Sequence, residues 1–224
     1  MIAVVPASEV SLPLAFAAAT LLGMRHATDA DHVAAVSTII CRERSALRSG
    51  WIGAMWGLGH MLTLFAVGAA IILLKWSITP RVGLSLEFSV ALMLVVLGVL
   101  NLAPHPPHAA PGAAAARLKP FLVGVVHGLA GSAGATLLVV PLIRDARWAF
   151  AYLTVFGLGT IAGMLLVTAS IAVPASYATL RVPSLQRAVR LASGAISVAF
   201  GLYLGYKIGF VDGLLTVGWP GAPP

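Results

Sequence analysis

The chain has 224 residues, of which 59% are hydrophobic and 9% are charged, and its formal net charge is +7. Soluble domains carry about 25% charged residues, so this composition and the long apolar runs exclude a soluble domain and indicate an integral membrane protein. The basic residues concentrate between the apolar runs, as membrane topology requires, so the positive charge does not indicate a nucleic-acid partner. A single cysteine, Cys41, excludes a disulfide framework.

Six apolar stretches are long enough to cross a bilayer, which predicts an all-α integral membrane protein with six transmembrane helices. The predicted spans are residues 12–40, 51–74, 84–102, 118–143, 148–173 and 188–210. The first span exceeds the ~20 residues that a crossing requires. We therefore expect it to tilt or break, and the natural break is between Gly23 and His32.

Basic residues in the connections predict the orientation of the chain. The connections on one side, with the residues next to them, hold Arg42, Arg44, Arg48, Arg117, Lys119, Arg181, Arg187 and Arg190. The other side holds fewer: Lys75, Arg81, Arg144, Arg147 and Lys207. The positive-inside rule then predicts a multi-pass protein of the cell membrane with both termini on the non-cytoplasmic side.

Ionisable residues are concentrated at the centre of the first span, in Gly23-Met-Arg-His-Ala-Thr-Asp-Ala-Asp-His32. Such residues are costly in a membrane and usually mark a pathway or a bound ion. On an ideal helix His26, Asp29 and His32 share one side, whereas Asp31 points elsewhere and could meet a neighbouring helix. Imidazoles and carboxylates suit nickel, cobalt and zinc ions. The alternative is a buried polar network that only fixes helix packing.

The spacing of the two histidines leaves the binding mode open. On an ideal helix His26 and His32 would be about 9 Å apart along the axis, too far to bind one ion. Either the helix is unwound here, or the two histidines serve successive positions, or only one of them is a ligand.

Two later spans each carry one histidine among small residues. His60 follows a GxxxG face, Gly53 and Gly57, that permits close helix packing and could bring it beside the first helix. His127 lies in the glycine-rich fourth span, where small residues permit tight packing or local unwinding around a site. Alternatively, either histidine could merely form a hydrogen bond to a neighbouring helix. The predicted metal ligands are His26, Asp29, Asp31, His32, His60 and His127.

Similar sequences recur in the two halves of the chain. Gly23-x-x-His26 recurs as Gly124-x-x-His127, Gly57-Leu-Gly59 as Gly157-Leu-Gly159, and Gly98 matches Gly201. Three spans per half is an odd number, so the second half is expected to be inverted, as in many secondary transporters. In the second half Asp29, Asp31 and His32 align with Ala130, Ser132 and Ala133.

The predicted organisation has four parts. Residues 1–102 form the first three-helix repeat, residues 103–117 a proline-rich loop, residues 118–210 the second repeat, and residues 211–224 a flexible tail. His105 and His108 in the loop could bind metal at the surface, although an incidental linker is the alternative.

The first motif resembles the signature of a known family. Arg25-His-Ala-Thr-Asp-Ala-Asp-His32 is similar to the RHAxDADH sequence, written HX4DH, of the nickel/cobalt transporter family, and Gly57-Leu-Gly-His60 resembles its second motif. The stretch from His127 to Gly134 looks like the compact six-span branch that includes urease-accessory-type nickel permeases. The acidic motifs of eight-span members are missing. The resemblance implies nickel or cobalt transport with His26, Asp31, His32 and His60 as functional positions.

The sequence therefore predicts a permease that takes Ni²⁺ or Co²⁺ as substrate, binds no resident cofactor and is not an enzyme. A homo-oligomer is compatible with the sequence. One alternative is an intramembrane metal enzyme with Asp29 or Asp31 as general base, although no HExxH motif occurs. Another is a b-type cytochrome with His26, His60 or His127 as haem ligands.

Overall fold

The computed structural model describes residues 12–41, 43, 45–75, 79–103, 113–129, 143, 145–181 and 183–216, and within these ranges all regular secondary structure is helical. The helices are α1 (Leu12–His26), α2 (Ala30–Ile40), α3 (Ala46–Leu74), α4 (Pro80–Leu102), α5 (Ala113–Leu129), α6 (Ala146–Arg181) and α7 (Pro183–Tyr206). A π-helical turn, Lys207–Val211, continues α7. The predicted all-α class is therefore confirmed for the described residues.

Within the described part of the chain, four helical segments are long and apolar enough to cross a membrane: Ala46–Leu74, Pro80–Leu102, Ala146–Tyr177 and Leu185–Val211. They correspond to the second, third, fifth and sixth predicted spans. The first predicted span consists of two helices, α1 and α2, instead of one. The fourth is represented by α5, and residues 130–142 of that span lie outside the described part of the chain.

Helices occupy part of two predicted connections. Helix α6 continues through Pro174 to Arg181, although residues 174–187 were expected to be a connection. A proline inside a helix removes one backbone hydrogen bond but does not have to end the helix when packing stabilises it. Helix α5 begins at Ala113, within the predicted loop of residues 103–117. Pro183 is the first residue of α7. A backbone N–H at this position has no hydrogen-bond partner within the helix, so proline loses no bond there.

Helices of the two halves pack against each other through close backbone contacts. Helix α1 contacts α6, and α5 contacts α3. A Cβ atom at Gly23 would overlap the carbonyl oxygen of Phe156, and one at Gly124 would overlap that of Trp56. These contacts require glycine, because any side chain would meet backbone atoms that cannot rotate away.

Helices α3 and α6 pack against each other and run in opposite directions. Their contacts run in reverse order along the two chains: Gly53 faces Thr168, Gly57 faces Ile161, Gly157 faces Met61, and Gly68 faces Leu153. Helices α4 and α7 form a second glycine-mediated pair, in which Gly98 faces Val198 and Gly201 faces Val95.

A buried polar cluster anchors the end of α2. Nδ2 of Asn101 in α4 lies 3.1 Å from Sγ of Cys41, from the backbone oxygen of Arg190 and from Oγ of Ser193. Arg190 in turn donates from Nη1 to the backbone oxygens of Asn101 and Ala103. These contacts join α2, α4 and α7, and α2 carries two of the predicted site residues.

Candidate metal centre

The first predicted span breaks at its polar centre. Helix α1 ends at His26 and α2 begins at Ala30. Asp29 precedes α2 with an extended backbone (φ −60°, ψ 147°), and its carboxylate forms no capping bond to that helix. Thr28 instead donates from Oγ1 to the backbone oxygen of Arg25 at 2.6 Å, within the turn that joins the helices. The break lies in the interval predicted from the sequence.

The break brings the two histidines of the first motif together. The ring centroids of His26 and His32 are 4.6 Å apart and their planes are inclined by 73°. An uninterrupted helix would separate these residues by about 9 Å along its axis. Of the three alternatives left open by the sequence, the structure therefore shows the interrupted helix.

Histidines from two more helices complete the cluster. Nε2 of His60 in α3 lies 3.2 Å from Nε2 of His26. The ring of His127 in α5 lies 4.1 Å from that of His32, centroid to centroid. His26 is 6% exposed, and the other three histidines are fully buried. Hence α1, α2, α3 and α5 each place one imidazole in the same buried region.

Two carboxylates orient three of these imidazoles. Nδ1 of His26 donates to Oδ2 of Asp29 at 2.9 Å. Asp31 accepts from two rings, Nε2 of His127 at 2.9 Å and Nδ1 of His32 at 3.2 Å. A carboxylate on one ring nitrogen fixes the tautomer and leaves the lone pair of the other nitrogen available to a metal ion.

Three buried ring nitrogens have no hydrogen-bond partner among the described residues: Nε2 of His32, Nδ1 of His60 and Nδ1 of His127. A buried polar atom without a partner costs free energy, so such atoms call for an explanation. Among the residues that the structure describes, two groups have ligand atoms within 4.8 Å of one another. They are His26, His32 and His60, and Asp31, His32 and His127. Both sets of nitrogen and oxygen donors are suited to a borderline divalent ion.

Two aromatic rings beside the cluster were not predicted as site residues. Trp56 lies 5.4 Å from His32 and 5.6 Å from His127, centroid to centroid. Phe156 lies 5.9 Å from His26. The sequence contained one signal for them, because Trp56 and Phe156 occupy equivalent positions in the repeated segments that contain Gly57 and Gly157.

All six predicted ligands therefore converge, and Asp31 contacts His127 of the neighbouring helix α5, as its predicted direction allowed. Metal binding by these residues stays a prediction. His105 and His108 lie outside the described residues, as do Ala130, Ser132 and Ala133, the positions that align with Asp29, Asp31 and His32.

Comparison with known proteins shows one relationship that covers most of the chain. The chain is 35% identical over 214 residues to urease accessory protein UreH of Bacillus sp. (strain TB-90), an alignment that covers 88% of this chain and 92% of the relative. No protein-family profile matches the chain, and no solved structure matches it.

The sequence identity is high enough, and covers enough of both chains, to show the family to which this chain belongs. The relative is named an accessory protein and not a urease, which confirms the prediction that the chain is not an enzyme. The apolar helices of the present chain, together with this relationship, identify it as a membrane protein. The chain belongs to the family of urease accessory protein UreH.

Proposed function

We propose that this protein transports a divalent transition metal ion, nickel or cobalt, across the cell membrane through the cluster of four histidines and two aspartates. The observation that carries this proposal is the convergence of four buried imidazoles at a helix break, with three ring nitrogens that have no hydrogen-bond partner among the described residues. Membership in the family of a urease accessory protein and the resemblance to nickel/cobalt transporters favour nickel. The ion is the substrate, and the protein needs no resident cofactor.

Neutral imidazoles bind the ion, while the aspartates hold them in position. Nε2 of His26 is the acceptor toward His60, because its Nδ1 carries the hydrogen donated to Asp29. The hydrogen between the two rings therefore belongs to His60. In the tautomer of His60 that carries its hydrogen on Nδ1, an atom with no hydrogen-bond partner among the described residues, both Nε2 atoms can face one ion. The two tautomers of His60 have the same charge.

We further propose that the chain crosses the membrane six times and forms two inverted repeats, residues 1–102 and 118–210. Contacts between the halves that recur at corresponding residues support it. The contact of Gly23 with Phe156 corresponds to that of Gly124 with Trp56, Gly57 with Ile161 corresponds to Gly157 with Met61, and Gly98 with Val198 corresponds to Gly201 with Val95. Reciprocal contacts of this kind are expected for two halves related by a pseudo-twofold axis.

Inverted repeats also suggest how the ion crosses. Rocking of one half against the other exposes a central site alternately to each side. The cluster draws His26, His32 and His60 from the first half and His127 from the second, so relative movement of the halves changes its geometry. In the proposed orientation both termini lie on the non-cytoplasmic side.

The deciding experiment is cellular accumulation of radiolabelled nickel and cobalt, comparing wild type with His26→Ala at matched expression. His105→Ala is the control, because it removes a histidine of the predicted connecting loop. Higher accumulation with wild type, lost in His26→Ala, would identify an importer that uses this cluster. Lower accumulation with wild type would identify an exporter. No difference for either metal would reject the proposal.

A further inference from the structure

We infer that Phe156 and Trp56 are gates that close the histidine cluster toward opposite sides of the membrane. The inference rests on the proposed transport function, but it comes from a separate observation. These two aromatic rings contact opposite ends of the cluster and stand at equivalent positions in the two halves of the chain.

The antiparallel packing of α3 and α6 determines where the two rings lie along the helix axes. Because contacts such as Gly57 with Ile161 and Met61 with Gly157 run antiparallel, His60 of α3 is level with Thr160 of α6. Trp56 precedes His60 by one helical turn, and Phe156 precedes Thr160 by one turn. Since the helices run in opposite directions, the two rings lie on opposite sides of that level, each displaced about 6 Å along its helix.

Ring contacts agree with this placement. Phe156 lies 5.9 Å from His26, and Trp56 lies 5.6 Å from His127 and 5.4 Å from His32. His26 and His127 are themselves equivalent residues of the repeated Gly-x-x-His sequence. Each half of the chain thus contributes one aromatic ring that covers this equivalent histidine of the other half, and Trp56 also covers His32.

Apolar packing makes each ring an effective seal. Phe156 is 2% exposed and clusters with Ala19 and Leu64, and it stacks on Tyr152 at 6.5 Å. Trp56 is 1% exposed and lies in the cluster that contains Val123 and Met164. A hydrophobic constriction of this kind blocks ions by excluding water.

Both seals are closed in this conformation, as an intermediate between two open states requires. Nε1 of Trp56 has no hydrogen-bond partner among the described residues, so none of these residues holds the indole in its closed position through that atom. Opening one ring while the other stays packed would expose the cluster to one side at a time, because α3 and α6 belong to different halves.

A reporter thiol in the cluster tests the gates without measuring transport. The variant Cys41→Ser with His60→Cys has one thiol, at a position that is fully buried in the wild type. A charged, membrane-impermeant methanethiosulfonate reagent is applied to either side, using right-side-out and inside-out vesicles. We expect slow reaction from both sides. Phe156→Ala should accelerate it about tenfold from one side only, and Trp56→Ala about tenfold from the other side only, by increasing the open population.

Exposed residues on the same two helices provide matched controls. Trp51 is 49% exposed and Leu158 is 56% exposed, so Trp51→Ala and Leu158→Ala should leave both reaction rates unchanged. Should the alanine variants fail to accumulate, Phe156→Leu and Trp56→Leu are measured for the same side-specific acceleration. Acceleration from the same side in both variants, or in neither, would overturn the inference. A wild type that moves no metal would reject the proposed function alone, because the thiol reaction needs no metal.

Discussion

Oδ2 of Asp31 lies 2.9 Å from Nε2 of His127, a residue 96 positions away in the sequence. The other oxygen of the same carboxylate accepts from Nδ1 of His32. One side chain, 17% exposed, thus links the first half of the chain to the second and orients two of the four imidazoles.

This double role predicts a large effect of Asp31→Asn. An asparagine removes the charge and replaces one acceptor oxygen with an amide nitrogen, so it cannot accept from both rings. Loss of a carboxylate that positions metal ligands typically lowers metal affinity about 10–100-fold. Nickel titration of the purified protein by calorimetry measures this, with the exposed Asp145→Asn as control. Unchanged affinity in Asp31→Asn would show that Asp31 neither binds the ion nor positions its ligands.

Asp29→Asn should be milder than Asp31→Asn. Asp29 contacts one histidine, His26, and it is 47% exposed, so water can replace part of the lost interaction. Asparagine is also a good residue at the start of a helix, so α2 should still begin at Ala30. Parallel nickel titrations of the two variants check the order. A larger loss in Asp29→Asn would identify Asp29 as a direct ligand.

The predicted proline-rich loop should contribute little to transport. We expect His105→Ala with His108→Ala to leave uptake of radiolabelled nickel near the wild-type rate at saturating metal, because histidines in a connection of the predicted kind would only concentrate the ion. The measurement is made beside His26→Ala at matched expression. A double variant as inactive as His26→Ala would place the loop histidines in the pathway.

Much of the site followed from the sequence, because ionisable residues in a membrane span are rare enough to stand out. The length of the first span predicted that it tilts or breaks, with the natural break between Gly23 and His32, and helical geometry predicted that Asp31 could meet another helix. The sequence did not predict that the span breaks instead of tilting, or that the break brings His26 and His32 together, since both depend on how Thr28 and Asp29 continue the chain between α1 and α2.

Other features depend on tertiary packing that composition does not encode. Trp56 and Phe156 resemble ordinary core residues in the sequence, because aromatic side chains are common in apolar helices. Apart from their equivalent positions in the repeat, what distinguishes the two rings is the histidines beside them, which tertiary packing places there. Similarly, Pro174 suggested the end of a span, whereas α6 continues to Arg181.

Gly124→Ala should destabilise the protein, whereas Gly50→Ala should not. A Cβ at Gly124 would overlap the backbone oxygen of Trp56, so α5 and α3 would have to separate. Overpacking of this kind costs about 1–3 kcal/mol.

Gly50 is the matched control for this change, because it also lies in a helix but has nothing within 4 Å of the added Cβ. Alanine is favoured over glycine inside a helix by up to about 1 kcal/mol. Thermal unfolding in detergent should therefore give a lower Tm for Gly124→Ala and an equal or higher Tm for Gly50→Ala. Because Gly124 packs on Trp56 and precedes His127 by one turn, Gly124→Ala should also weaken nickel binding. Equal Tm values in the two variants would contradict the close approach of α3 and α5.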